Sequence, residues 1–189
     1  MIAVIINQPI IDFVSDAYVN GAFRRISRAD VLGRWAIFLF YPQDFSQLCP
    51  QELADMADYY PKMQALGVEV YAVSTDSHLV HRAWHSSSVL VNRVRYPMLG
   101  DKSGDIARGF GVLDVKSHQA LRASFVVDPT GIIQLAEIHN IGIRRSAQEM
   151  LRKVKAAKDA YNAEPVLCDS ACQVAYLVPP PILDLADKL

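Results

Sequence analysis

The side chains in this 189-residue chain best suited to act as nucleophiles are three cysteines, Cys49, Cys168 and Cys172. Cys49 has the most telling surroundings. It follows the run Phe40-Tyr41-Pro42-Gln43-Asp44-Phe45-Ser46-Gln47-Leu48 and precedes Pro50-Gln51-Glu52. Proline is tolerated in the first turn of a helix, so Pro50 marks a helix start next to Cys49. There a sulfur meets unpaired backbone N–H groups and the positive end of the helix dipole, and both favour thiolate over thiol. Ser46 lies one turn before the sulfur, so its hydroxyl can reach the same small volume. The rival reading is a buried structural cysteine behind a core strand, because free cysteine is among the most buried residue types.

The other candidates carry less by themselves. Cys168 and Cys172 form a C-x3-C pair, too few ligands for a tetrahedral metal site. Three scattered cysteines make no zinc ribbon, which needs two close pairs. In a reducing compartment a cysteine pair is more often redox-active or metal-binding than a structural disulfide. His78, His81 and His85 are spaced by three and four and share a helix face. No carboxylate joins them in sequence, so they are expected to pack or face solvent, with no metal. Arg122 alone reads as an ordinary strand-edge arginine. Lys153, Lys155 and Lys158 make a solvated helix face, too few for nucleic acid.

Composition narrows the setting. Hydrophobic residues at 51% and charged residues at 21% suit one globular domain with a sizeable core. A formal net charge of -1 gives no sign of a polyanion partner, a basic arm or an acidic tail. No apolar run approaches a membrane span. The N-terminal run has no positive n-region and no small-residue cleavage site, and the first basic residue is Arg24. A cytoplasmic protein without membrane or nucleic-acid partners is expected.

The elements that must position Cys49 can be taken in order. Asn20-Gly21 is a hairpin turn signal between Phe13-Val14 and Ala22-Phe23-Arg24. Ser27 to Leu32 suggests a short helical turn. Trp35 to Tyr41 is apolar throughout and predicts a strand buried on both faces. The helix that follows has Leu53, Met56, Ala57, Tyr60 and Met63 at apolar spacing, and Pro61 is expected to kink or end it. Val68 to Ser74 is the next strand, which implies a parallel β-α-β unit. Ser77 caps a helix predicted to run to about Asn92. Tyr96 to Gly100 reads as a short strand and Ser103 to Phe110 as a short helix. Arg122 to Val127 and Ile132 to His139 form a hairpin turning at Pro129-Thr130-Gly131. Ser146 and Glu149 predict a capping box before a helix with Met150, Leu151, Val154 and Tyr161 on one face. Beyond Asn162 the pattern weakens, and Pro179-Pro180-Pro181 excludes regular structure nearby. The order describes an α/β protein with a thioredoxin-like fold: a central mixed β-sheet flanked by helices, an N-terminal hairpin and a C-terminal tail. Residues 1–163 are read as the folded domain and 164–189 as the tail.

Phe40-Tyr41-Pro42, Ser46, Cys49-Pro50 and Glu52 together resemble the active-site signature of the peroxiredoxin family, P-x3-(T/S)-x2-C. Val73-Ser74-Thr75-Asp76-Ser77-His78, Ala83-Trp84-His85, Ala123-Ser124-Phe125-Val126-Val127-Asp128-Pro129 and Leu183-Asp184-Leu185 extend the likeness. It is that of the typical two-cysteine type, similar to bacterial alkyl hydroperoxide reductase C components.

The resemblance implies a thiol-dependent peroxidase for hydrogen peroxide and organic hydroperoxides, needing no cofactor. By that resemblance Cys49 is the peroxidatic cysteine, which passes through a sulfenic acid. Arg122 is the active-site arginine, Ser46 the hydroxyl that binds peroxide and thiolate, Pro42 the shield against water, and Glu52 the residue that orients the arginine. Cys168 aligns with the resolving cysteine of a partner subunit, which implies an intersubunit disulfide, a head-to-tail homodimer and a ring of five dimers. A flavoprotein disulfide reductase or a thioredoxin-type protein is the implied reductant.

Two departures stand out. Ser46 replaces the commoner threonine, which keeps the hydroxyl and loses the β-methyl that stiffens χ1. Cys168 is followed by Asp-Ser-Ala-Cys rather than by proline, so Cys172 is an alternative resolving residue. A chaperone-like or redox-sensing oligomer on the same fold is the alternative function. A dithiol oxidoreductase is disfavoured because Cys49 lacks a C-x2-C partner.

Overall fold

The computed structural model describes residues 5–163. Strands β1 (Val14–Val19) and β2 (Ala22–Ser27) form the first hairpin. Asn20 and Gly21 both take positive φ, as the tight turn between right-handed twisted strands requires. Next come the short helix α1 (Arg28–Val31), strand β3 (Trp35–Phe40), helix α2 (Cys49–Ala65) and strand β4 (Val68–Ser74). Helix α3 (His78–Ser87), a 3-10 turn (Val91–Arg93), strand β5 (Met98–Gly100) and helix α4 (Asp105–Gly109) follow. The chain then forms β6 (Leu113–Asp114), β7 (Gln119–Ala120), β8 (Arg122–Val127), β9 (Ile133–His139) and helix α5 (Ala147–Asn162).

Seven strands make one mixed sheet in the order β2-β1-β5-β4-β3-β8-β9. β3, β4 and β5 run parallel, and the β8–β9 hairpin adds antiparallel to β3. Every residue of β3 is buried, because both faces of the sheet are covered. Ile37 and Leu39 pack with Leu53, Met56 and Met63 of α2 and with Met150 and Val154 of α5. Phe38 and Phe40 pack on the other face with Tyr71, Phe110 and Phe125. The sheet therefore grips the segment that leads into Cys49 from both sides.

Three local expectations give way. Of the kink or end expected at Pro61, the end does not occur: α2 runs on to Ala65. Proline inside a helix costs about 3 kcal/mol. Here Pro61 itself is exposed, while burial of Leu53, Met56, Tyr60 and Met63 on the opposite face holds the helix together. Helix α3 stops at Ser87, ahead of the expected Asn92, and a 3-10 turn takes over. Ser86 and Ser87 turn their hydroxyls onto the carbonyls of Arg82 and Trp84, and Ser88 accepts from the Val91 N–H. Serines that bond backbone groups compete with helix continuation. The capping box on α5 is half formed: Ser146 accepts from the Glu149 N–H, and the Glu149 carboxylate is taken by Arg152 instead. The small β6–β7 hairpin had no sequence counterpart.

Candidate active site

Cys49 is the first residue of α2 and is 1% exposed. Pro50 sits in the first turn, and no side chain caps the helix, so its leading backbone donors face the loop that precedes them. That loop, residues 41–48, is pinned by polar groups in the core. The Tyr41 hydroxyl donates to Asp44 Oδ1 at 2.8 Å, His81 Nδ1 meets Asp44 Oδ2 at 2.8 Å, and the Asp44 N–H donates to Asp76 at 2.7 Å. Burial, with the Asp44 charge behind it, pushes the Tyr41 phenol well above its ordinary value, so it stays a donor. The three spaced histidines are thus packing groups. His81 is held by Asp44, His85 meets the Tyr18 hydroxyl and the Val94 carbonyl, and His78 lies edge-on to Phe23. The carboxylate that joins His81 comes from the loop, 37 residues away. Among the described residues no group of His, Cys, Asp and Glu has the arrangement of a metal site.

Arg122 begins β8 and is 2% exposed. Its two terminal nitrogens lie 3.8 and 3.7 Å from Cys49 Sγ, and its Nε donates to the Ile141 carbonyl at 3.1 Å. Arg122 also forms a buried ion pair with Glu52, one turn into α2. The sheet register makes this possible: Phe40, at the end of β3, pairs with Ala123, next to Arg122.

A second arginine, missed in the sequence, completes the cluster. Arg145 precedes the capping Ser146 of α5 and is buried. Its Nη2 lies 3.0 Å from Glu52 Oε2, and its backbone N–H donates to Glu52 Oε1 at 2.7 Å. Its Nη1 donates to the carbonyls of Phe40 at 2.8 Å and Ala123 at 2.6 Å, and to Ser124 Oγ at 3.2 Å. In sequence Arg144-Arg145 looks like a pair of surface cations; only the packing of α5 against α2 reveals its place. Burial pushes the Glu52 carboxyl up, but the hydrogen bonds and charge of Arg145, with Arg122 behind them, outweigh burial and hold it below its ordinary value. Two guanidiniums thus share one carboxylate in a buried cluster. The Cys49 sulfur lies against the Arg122 side of that cluster.

Outside this cluster opens a cavity of about 490 Å³. Pro42, Ser46, Cys49 and Arg122 line it, together with apolar groups from Phe45, Leu48 and Ile141. Pro42 is buried, and Ser46 Oγ is buried without a hydrogen-bond partner among the described residues. A hydroxyl in that state, in the same pocket as a sulfur and a guanidinium, has its hydrogen-bonding capacity in reserve for a bound oxygen. The expected site residues Pro42, Ser46, Cys49, Glu52 and Arg122 are therefore brought together. Cys168 and Cys172 lie outside the described residues.

Residues 6–136 match the model of the AhpC/TSA family. The chain is 44% identical over 185 residues to alkyl hydroperoxide reductase C of Escherichia coli (strain K12), spanning 98% of this chain and 99% of that one. The chain belongs to the AhpC/TSA family. Alkyl hydroperoxide reductase C of Bacillus subtilis (strain 168) is 40% identical over 98% of this chain and 99% of its own. The crystal structure of Enterococcus faecalis AhpC superposes with a TM-score of 0.83 at 49% identity, covering 86% of this chain and 98% of that chain. The reduced 2-Cys peroxiredoxin of Plasmodium vivax, at 24% identity, shares the fold with a TM-score of 0.80. This family membership makes the chain an enzyme, a thiol-dependent peroxidase with a thioredoxin-like fold.

Proposed function

We propose that Cys49 is the peroxidatic residue of a peroxidase acting on hydrogen peroxide and small organic hydroperoxides. The observation that carries this is the buried pair of guanidiniums that share Glu52, one of them in contact with Cys49 Sγ. The Cys49 thiolate attacks one peroxide oxygen, the O–O bond breaks, and the other oxygen leaves as an alcohol or water after taking a proton. Cys49 is left as a sulfenic acid. Arg122 faces the charge that develops on the leaving oxygen, and Ser46 Oγ hydrogen-bonds the peroxide. Pro42 keeps bulk water off the sulfur, Glu52 holds Arg122 in place, and Arg145 holds Glu52. The apolar wall of Phe45, Leu48 and Ile141 suits the hydrocarbon part of an organic hydroperoxide.

In the second half of the cycle Cys168 of a second subunit attacks the sulfenic acid, releasing water and forming an intersubunit disulfide. The turn bearing Cys49 unwinds so that the two sulfurs reach bonding geometry. A flavoprotein disulfide reductase or a thioredoxin-type protein restores the thiols, in the reducing cytoplasm. The working unit is a homodimer, further assembled into a ring of five. Support for self-association comes from the edge strand β9 and the loop beyond it, where Ile138 is 52% and Ile141 63% exposed.

The test is a non-reducing gel after one equivalent of peroxide. The wild type forms a disulfide-linked dimer, and Cys49→Ser and Cys168→Ser do not. A normal dimer in Cys168→Ser assigns resolution to Cys172, and a dimer in Cys49→Ser contradicts the scheme.

A further inference from the structure

A second cavity, of about 450 Å³, lies at the opposite ends of the parallel strands from Cys49. Arg24 and Arg25 of β2, Arg34 just before β3 and Arg95 before β5 all line it. Two carboxylates, Asp30 and Glu69, share the wall. Both accept hydrogen bonds from uncharged groups. Glu69 Oε1 accepts from the Tyr60 hydroxyl at 2.7 Å and the Val70 N–H at 2.8 Å. Asp30 Oδ2 accepts from the Ser27 N–H at 2.8 Å and the Ser27 hydroxyl at 2.7 Å.

None of the four arginines forms an ion pair with either carboxylate. Among the described residues Arg24, Arg25 and Arg34 enter no salt bridge, whereas neighbouring Arg28 pairs with Asp12. Arg95 Nη1 donates to the carbonyls of Asn92 at 2.5 Å and Val94 at 3.1 Å, which fixes the side chain without cancelling its charge. Four guanidiniums against two carboxylates leave an excess of positive charge around one concavity, on a chain whose formal net charge is -1. Walls of one sign focus the field and concentrate ions of the opposite sign.

Guanidinium forks match phosphate oxygens two at a time, and four arginines lining one space suit an anion with several phosphoryl oxygens. A cavity of this size accepts a small molecule. A neighbouring space of about 270 Å³ shares Arg34 and Glu69 and offers room for a group attached to the phosphates. We infer that the arginine-lined cavity binds an oligophosphate, either free or carried on a nucleotide. The site is independent of the peroxidase chemistry at Cys49.

Calorimetric titration of the full-length protein with inorganic pyrophosphate and, separately, with ADP tests this. At least one is expected to bind at one site per chain. Arg24→Gln combined with Arg34→Gln is expected to weaken that binding by about tenfold or more, from the loss of charge-assisted bonds. Arg34→Gln alone and Arg95→Gln give the same readout should the double variant fail to fold. Lys155→Gln, on the exposed face of α5, is expected to leave the affinity as it was. Tighter binding of ADP than of pyrophosphate assigns a nucleotide, and the reverse assigns a free oligophosphate. Binding of neither at millimolar concentration overturns the inference. So does undiminished affinity in the arginine variants, which would put the anion elsewhere, for instance beside Arg122.

Discussion

Arginines mark both ends of the parallel strands, and the protein treats them in opposite ways. At the Cys49 end Arg122 and Arg145 are buried, and their donors go to Glu52, to main-chain carbonyls and to Ser124. At the other end Arg24, Arg25, Arg34 and Arg95 are exposed around a cavity, and the carboxylates beside them serve other donors. The difference follows from solvent. A charge withdrawn from water must find its counter-charge inside the protein, while an exposed one is screened and can wait for a ligand. The first cluster has to be complete when the chain folds. It holds two guanidiniums to one carboxylate, with the Cys49 sulfur against Arg122.

The largest effect that can break this contrast is at Glu52. Glu52→Gln leaves two buried guanidiniums without a carboxylate and is expected to cost about 3–5 kcal/mol. At ~2–4 °C per kcal/mol for a chain of this length, Tm falls by roughly 6–20 °C. An unchanged melting curve would mean that the cluster is not held by its charges. The acid limb gives a second check. The Glu52 carboxyl is held below its ordinary value, so its contribution is present above that value and fades as pH falls through the lowered one. Between pH 6 and pH 3 the wild type should lose more stability in denaturant titrations than Glu52→Gln does, and parallel curves would contradict this.

Arg122→Lys comes next. It keeps the charge and loses the fork that spans Sγ and Glu52, so kcat/KM for peroxide should fall by about 10²–10³-fold. Activity equal to wild type would show that a point charge suffices. Ser46→Ala removes one neutral hydrogen bond to the bound oxygen, worth ~1 kcal/mol, and should lower kcat/KM about fivefold. Ser46→Thr, which stiffens χ1 and keeps the hydroxyl, should stay close to wild type. At the far end Arg34→Gln should shift stability by no more than about 0.5 kcal/mol. A loss as large as that of Glu52→Gln would erase the contrast between the two ends.

Much of the Cys49 end was legible in the sequence because short-range signals write it. Pro50 marked the helix start, the apolar run from Trp35 marked β3, and Ser77 and Ser146 marked two caps that the structure forms. What stayed hidden depends on contacts across many residues. Arg145 meets Glu52 from 93 residues away, and Asp44 meets His81 from 37. The helix does not end at Pro61 because tertiary packing sustains it against local propensity. The arginines of the far cavity come from three separate segments, so net charge concealed them.

The central claim is that peroxide oxidises Cys49, the thiol packed against Arg122. Sulfenic acid trapping with a 1,3-dione, followed by peptide mass spectrometry, tests it in a chain carrying Cys168→Ser and Cys172→Ser. After one equivalent of peroxide the adduct is expected on the peptide that contains Cys49, with none when Cys49→Ser is added. Peroxide consumed at the wild-type rate while Cys49 remains unmodified would contradict the account.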